Sequence, residues 1–463
     1  MRADPPPPLA GGTPGPDALR PLLDTVLDAL HAGAAERGGP LPAGGPEGVA
    51  RRVRKELGDA LPEDGYGSGE ALRLLVHTLA AGAADPADPL CAAHLHTPPL
   101  ALAVAADLAA SALNPSMDSW DQAPAASALE ALVTAALAAE VYPEAAHPDA
   151  LVTTGGTESN QLALLLARER HGSVRAVVGA NAHHSLARAA WILGLPEPVV
   201  VPTPNGALEP VALDEALTDL TGPLLVAATA GTTDTGVIDP LPEIADLCDA
   251  HGAELHVDAA YGGPLLFSSV HRALLTGLAR ARTVTLDLHK LGWQPAAAGL
   301  LAVRDTADLA PLAHTAEYLN ADDDTDAGLP DLLGRSLRTT RRPDILKTAV
   351  TLRALGRTGL GALVDTCMAQ AQHLADLVEQ SPGLELYARP TLTTVLFRPQ
   401  GAADDSVAAV RRTLLADGRA VLGRARADGR LWLKATLLNP HTTPGDLAQI
   451  LTLVTLVEGS SDR

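Results

Sequence analysis

Lys290 stands directly behind His289 at the end of the alternating run TVTLDLHK (Thr283 to Lys290). Three earlier runs also close on residues able to do chemistry: TTGGTESN (Thr153 to Asn160), NAHHS (Asn181 to Ser185) and HVDAAYGG (His256 to Gly263). Each has an ordinary explanation. A Gly-Gly turn opens many helices, a lone histidine is commonly a satisfied polar group, and an aspartate after a strand caps the next helix. A lysine at a strand end is usually solvated. The order and spacing of all four carry more than any one of them.

Together they supply an amine nucleophile, a carboxylate, an imidazole and a glycine turn. Pyridoxal phosphate (PLP) needs that set: a lysine for the Schiff base and a carboxylate to keep the pyridine nitrogen protonated. It also needs a flat group over the ring and backbone N–H donors at a helix N-terminus for the phosphate. Lys290 fits the first role and Asp258 the second. Ala260, two residues on and on the same side of the strand, is small enough to lie under a ring. His183 fits the stacking group, and Gly155, Gly156 and Thr157 fit the phosphate cup. A nucleotide reading of GGTESN fails, because neither GxGxxG nor GxxxxGK[ST] is present there. HLH (His94 to His96) and AHH (Ala182 to His184) raise a metal site, but no histidine-and-carboxylate set at ligand spacing accompanies them, so no metal is expected.

These residues must be positioned by a regular scaffold. From about residue 100, Ala-rich helical stretches alternate with β-branched runs: ALVTTGG, VRAVVGA, EPVVVPT, GPLLVAATAGTT, AELHVDAAYGG, ARTVTLDLHK and GLLAVRD. That alternation predicts an α/β domain with a mostly parallel central sheet, whose strand-end loops converge on a ligand site. Residues 1–16 are Pro/Gly-rich and read as a disordered tail. Residues 17–99 read as an N-terminal helical segment, 100–335 as the large cofactor domain, and 336–463 as a small α+β C-terminal domain. Within the large domain, LNADDDTDAGLPDLLGR (residues 319–335) reads as a mobile acidic loop.

The 463 residues carry 34 basic and 55 acidic side chains, a formal net charge of −21. Such an excess argues against nucleic acid and anionic membrane surfaces as partners. No run approaches the roughly 18 continuous apolar residues of a membrane span. Cys91, Cys248 and Cys367 are widely spaced, which suits a reducing cytoplasm better than a disulfide framework. A cytoplasmic enzyme acting on a small molecule is expected.

In order along the chain, HLHTPPL, ALNPSMDSWDQAP, TTGGTESN, AHHSLARAA, ATAGTTDTGVIDPL, HVDAAYGG, DLHKLGWQP, AEYLNADDD, SLRTTRRPDILK and LLNPHTT resemble the group II PLP-dependent amino acid decarboxylases. The wording is nearest to the bacterial branch acting on diaminobutyrate, lysine and similar substrates. The resemblance covers roughly residues 90–440. It implies a fold type I PLP enzyme, a carboxy-lyase acting on an aliphatic L-amino acid, and a homodimer with its site at the interface. It implies that Lys290 holds the cofactor, Asp258 pairs with the pyridine nitrogen, and His183 stacks on the ring and assists at the reacting carbon. Gly156, Thr157, His289 and Asp287 then lie about the cofactor, with Thr229 near the substrate carboxylate or the ring. His96 and Trp120 become tentative substrate residues contributed by either chain.

Two departures from the family pattern leave the reaction outcome open. Relatives acting on aromatic substrates protonate the substrate carbon from a loop tyrosine, whereas residues 319–335 contain none. After Lys290 the chain reads LGWQPAAAG, so Gly292, Ala296, Ala297 and Ala298 stand where bulkier or hydroxyl side chains are usual. Those losses read either as drift in an Ala-rich chain or as a reshaped, more open pocket. Oxidative deamination following decarboxylation, β-elimination at a sulfur-bearing side chain, and a non-catalytic subunit are the alternatives.

Overall fold

The computed structural model describes residues 6–461. Residues 1–5 of the expected tail lie outside these. Three helices open the chain: α1 (Gly15–Arg37), α2 (Gly45–Leu57) and α3 (Ser68–Gly82). The next element is a strand, β1 (Cys91–Ala92), which joins the distant C-terminal sheet, so the segment expected to be helical is not wholly so. Helices α4 (Ala101–Leu113) and α5 (Pro124–Val141) follow.

The central unit is β2 (Asp149–Thr153), α6 (Gly156–His171), β3 (Arg175–Gly179), α7 (Ser185–Ile192), β4 (Val199–Val201), α8 (Pro210–Asp219), β5 (Leu224–Thr229), α9 (Leu241–His251), β6 (Glu254–Ala259), β7 (Thr283–Asp287) and β8 (Gly299–Val303). Its seven strands order as β2-β8-β7-β6-β5-β3-β4. Only β8 runs against its neighbours, pairing antiparallel with both β2 and β7. The carboxyl ends of β2, β3, β5, β6 and β7 therefore share one edge. Near-continuous burial along β5, β6 and β7 explains their unbroken apolar runs, since both faces of a parallel sheet are covered. The core is made of Ala, Val and Leu with few aromatics; Trp293 is its largest fully buried side chain.

The acidic stretch expected as a loop contains a short helix, α10 (Asp322–Asp326), and is pinned at its far end by Arg335, which donates to both Asp149 oxygens and to the Ala150 carbonyl. Next, α11 (Ile345–Glu379) is broken by a kink at Gly356 (φ 63°). Then come β9 (Leu384–Leu386), β10 (Thr394–Pro399), α12 (Asp404–Ala416), β11 (Val421–Ala427), β12 (Arg430–Thr436) and α13 (Pro444–Ser461). They build a second sheet, β1-β11-β12-β10-β9, with its own apolar core.

By length and composition α5 could cross a membrane, with a mean hydropathy of 1.3, so the chain does hold one such segment. It is nevertheless a helix of this fold: its Glu130 is buried and accepts from the equally buried Arg341 at 2.6 Å. A paired internal ion is what a packed protein interior tolerates.

Candidate active site

A cavity of about 380 Å³ opens at the shared carboxyl edge of the large sheet. Gly155, Gly156, Thr157, His183, Thr229, Asp258, Ala260, Asp287, His289 and Lys290 all line it. Size alone does not single it out. A cavity of about 480 Å³ at the opposite strand ends is lined by Arg280, Arg282, Glu254 and Asp308, several of them already paired with one another.

The glycine turn makes a cradle. Gly155 has φ 152°, a backbone region that side chains avoid, and a Cβ there would lie 3.0 Å from His289 Cε1. At Gly156 it would lie 3.1 Å from the Ala260 methyl group. The two glycines let α6 begin directly behind β2 and present free N–H groups to the cavity. The Ala298 N–H donates to His289 Nδ1 at 3.3 Å, leaving the His289 proton on Nε2. Burial lowers the His289 pKa, so that ring is a neutral donor beside the cradle. Glu158 in the first turn of α6 accepts from the Thr154 N–H (2.6 Å) and hydroxyl (2.7 Å), and faces Arg338 at 3.4 Å.

Lys290 Nζ lies 2.9 Å from Asp287 Oδ2, while Asp287 Oδ1 is buried without a partner. Asp258 accepts from Asn160 Nδ2 (2.8 Å) and from the Ala260 N–H (3.1 Å). Thr229 Oγ1 is also buried with no protein partner, whereas its N–H donates to Asp239 at 2.7 Å. Buried polar atoms rarely stay unpaired, so the free Thr229 hydroxyl at the cavity wall fits a bound polar group. A lysine amine, a buried carboxylate, a glycine cradle at a helix start and an unpartnered hydroxyl together fit PLP, with Gly155, Gly156, Thr157 and His289 able to take its phosphate.

Two predicted residues are not brought to this cavity. His96 is exposed, and the alternation of HLH turns Leu95 into the wall instead. Trp120 lines a separate cavity of about 530 Å³ with Glu130 and Arg335. Asp322, Asp323 and Asp324 are exposed on α10. Sequence reasoning missed Thr154, Gly231, Thr233 and Tyr261 on the wall. Thr233 is fixed from the second sheet, where Lys434 on β12 donates to its carbonyl at 2.9 Å. The Tyr261 hydroxyl is engaged by Thr393 (2.7 Å) and Thr394 (2.9 Å), and burial pushes its pKa up to about 12, so it is a poor acid.

The LGWQPAAAG departure has a different meaning from the expected one. Gly292, Ala296, Ala297 and Ala298 are not on the cavity wall. A Cβ at Gly292 would sit 2.5 Å from the Leu288 carbonyl oxygen, so the turn after Lys290 has no room for a side chain. Trp293 adopts φ 51°, rare for a bulky residue, and is held there from two sides. Its Nε1 donates to the Leu438 carbonyl at 2.8 Å, and its own carbonyl accepts from the Leu100 N–H at 2.9 Å. The segment anchors the lysine turn to its surroundings; it does not widen the pocket.

Comparison with known proteins gives the same reading. The family described as pyridoxal-dependent decarboxylase conserved domain matches residues 70–400. The chain is 42% identical to an L-2,4-diaminobutyrate decarboxylase of Rhizobium meliloti (strain 1021), over 94% of this chain and 90% of that protein. It is 31% identical to the Acinetobacter baumannii protein of that name, over 88% and 87%. Among solved structures, the glutamate decarboxylase domain of a diaminobutyrate-pyruvate transaminase and L-2,4-diaminobutyrate decarboxylase from Vibrio parahaemolyticus superposes with a TM-score of 0.86 at 30% identity, covering 98% of both chains. These relatives are decarboxylases by name and do not favour deamination or elimination. The chain belongs to the pyridoxal-dependent decarboxylase family, and it is a PLP-dependent amino acid carboxy-lyase of fold type I.

Proposed function

We propose that this enzyme decarboxylates L-2,4-diaminobutyrate, releasing CO2 and propane-1,3-diamine. The observation that carries the substrate is the 42% identity, across nearly the whole chain, to a protein named for that activity. PLP, when bound, supplies the electron sink for the pair left on the substrate carbon as the carboxylate departs. Lys290 is the amine that would hold the cofactor. Asp258 would keep the cofactor's pyridine nitrogen protonated, and Ala260 and His183, both on the cavity wall, would contact its ring. The N–H groups of Gly155, Gly156 and Thr157, with His289, would hold the phosphate, while Asp287 pairs with the Lys290 amine. Thr229 orients the substrate carboxylate or the ring hydroxyl. A pocket that fixes the direction of the substrate carboxylate would favour decarboxylation over competing outcomes.

The enzyme works in the cytoplasm as a homodimer whose residues 100–335 carry the cofactor and 336–463 form the small domain. Exposed apolar side chains on α4 and α5, among them Val104, Leu108, Leu113 and Leu132, support burial against a second copy. His96 and Trp120 then approach the substrate across that interface. Product analysis against a panel of amino acids tests the reading. CO2 and propane-1,3-diamine from diaminobutyrate, with at least tenfold lower kcat/KM for glutamate and cysteine sulfinate, are expected. Preferred turnover of an acidic substrate, or aldehyde and ammonia in place of diamine, contradicts it.

A further inference from the structure

Beneath the cavity lies a set of polar side chains that touch one another rather than solvent. Asn160, His256 and Thr285 are 0% exposed, and Thr283 and Ser185 are 1%. They come from four elements, α6, α7, β6 and β7. Asn160 sits one turn after Gly156 on the inner face of α6, where i and i+4 share a side. The β6–β7 register puts His256 beside Thr283 and Asp258 beside Thr285. Ser185 opens α7.

The Asn160 amide is the hub. Its Oδ1 accepts from Thr285 Oγ1 at 2.8 Å and from His256 Nε2 at 3.0 Å. Its Nδ2 donates to Asp258 Oδ2 at 2.8 Å and to Ser185 Oγ at 2.9 Å. All four positions of the amide are used, and a flipped amide would turn its oxygen toward the Asp258 carboxylate. At the far end, Ser185 Oγ lies 2.9 Å from His183 Nδ1, and the Ser185 backbone N–H donates to the same nitrogen at 3.3 Å. An N–H can only donate, so Nδ1 is the acceptor. Because Ser185 Oγ already accepts from Asn160, its own proton is free to go to His183.

We propose that Asn160 is a positioning residue with two outputs: it orients the Asp258 carboxylate, and through Ser185 it holds His183 with Nδ1 unprotonated and its proton on Nε2. This rests on the reading that Asp258 and His183 are the ring partners of PLP. As a neutral imidazole, His183 offers a hydrogen bond from Nε2 but is a weak acid, so the proton that reaches the substrate carbon comes from another group. The groups facing His183 are the His184 ring (4.1 Å between centroids), Asp258, Asp287 and Lys290. Burial is the largest influence on it and also favours the neutral form.

Nitrogen-15 NMR of histidine-labelled, cofactor-free protein reads the tautomer directly, with His183→Gln assigning the signal. An unprotonated Nδ1 is expected in the wild type. Ser185→Ala removes one of the two donors to Nδ1, so the His183 pKa should rise by about one unit, and the acid limb of kcat/KM should move with it. Ser185→Thr keeps the hydroxyl and should restore both. Asn160→Ala should weaken PLP binding about tenfold and displace the same histidine signal. Should Asn160→Ala fail to fold, the Ser185 pair still decides. A protonated Nδ1 in the wild type, or a Ser185→Ala protein with unchanged signal and pH profile, overturns the proposal. So does an Asn160→Ala protein that loses only thermal stability. The tautomer is read without cofactor, so a failure there is separable from a failure of the assigned PLP roles.

Discussion

At the floor of the cavity Asn160, His256 and Thr285 are fully buried with their polar atoms paired, whereas the rim residues outside that cavity, His96, Trp120 and Asp322 to Asp324, stand in solvent or face another cavity. Floor and rim obey different constraints. A buried polar group must find its partner within the fold, so one folded chain completes the floor. An exposed group carries no such requirement, and its role is set by whatever docks against it. The floor supports the residues proposed to hold the cofactor, and His96 and Trp120 at the rim are those proposed to meet the substrate across a subunit interface.

The largest effect expected is at Lys290. Lys290→Ala should lose the visible absorption of bound PLP and cut turnover by about 10⁴-fold or more, read from the spectrum and from CO2 release. Asp258→Asn comes next. It should keep the cofactor bound and lower kcat by about 10²- to 10⁴-fold, because the pyridine proton loses its carboxylate. At the rim, Trp120→Ala should leave PLP content unchanged and raise KM several-fold. A loss of cofactor in that variant would erase the distinction between floor and rim.

The floor should also be visible in stability. Burial pushes the His256 pKa down to about 4 from an ordinary value of 6.5. The unfolded chain takes up a proton near pH 6.5 and the folded one only near 4. Stability from this group is therefore complete above about pH 6.5 and lost as pH falls toward 4, by up to about 3 kcal/mol. Denaturant midpoints at pH 7.5 and pH 5, at fixed protein concentration, should separate for the wild type and draw together in His256→Gln. Gly292→Ala should cost about 1–3 kcal/mol by overpacking against Leu288, seen as a lower Tm. The smallest change belongs to exposed Ala296, where Ala296→Ser should shift stability by less than about 0.5 kcal/mol and leave kcat unaltered.

Much of the floor was legible because strand alternation is a strict code. In HVDAA and TVTLD, knowing that one residue faces the site places the residue two positions away on the same side. Asp258 and Ala260 line the cavity together, as that logic requires, and Asp287 and the glycine turn, expected from the resemblance and from phosphate-binding chemistry, line it too. The roles of Asn160 and Ser185 were not legible, because the network joining them draws on four elements, α6, α7, β6 and β7, which only the packed fold brings together. The rim was harder. Alternation in HLH left open whether Leu95 or His96 faced inward, and composition of the acidic stretch did not show the short helix α10. Gly292 was misread for a related reason: a missing side chain looks like space in a sequence, and only the Leu288 carbonyl beside it shows that there is none.

The central claim is that this floor carries PLP on Lys290. Borohydride reduction of the PLP-loaded enzyme, followed by proteolysis and mass spectrometry, fixes the cofactor to the amine that holds it. One pyridoxyl group is expected on the peptide spanning Thr283 to Arg304, at Lys290. A pyridoxyl group on Lys347 or Lys434 instead, or none on any lysine, would contradict it.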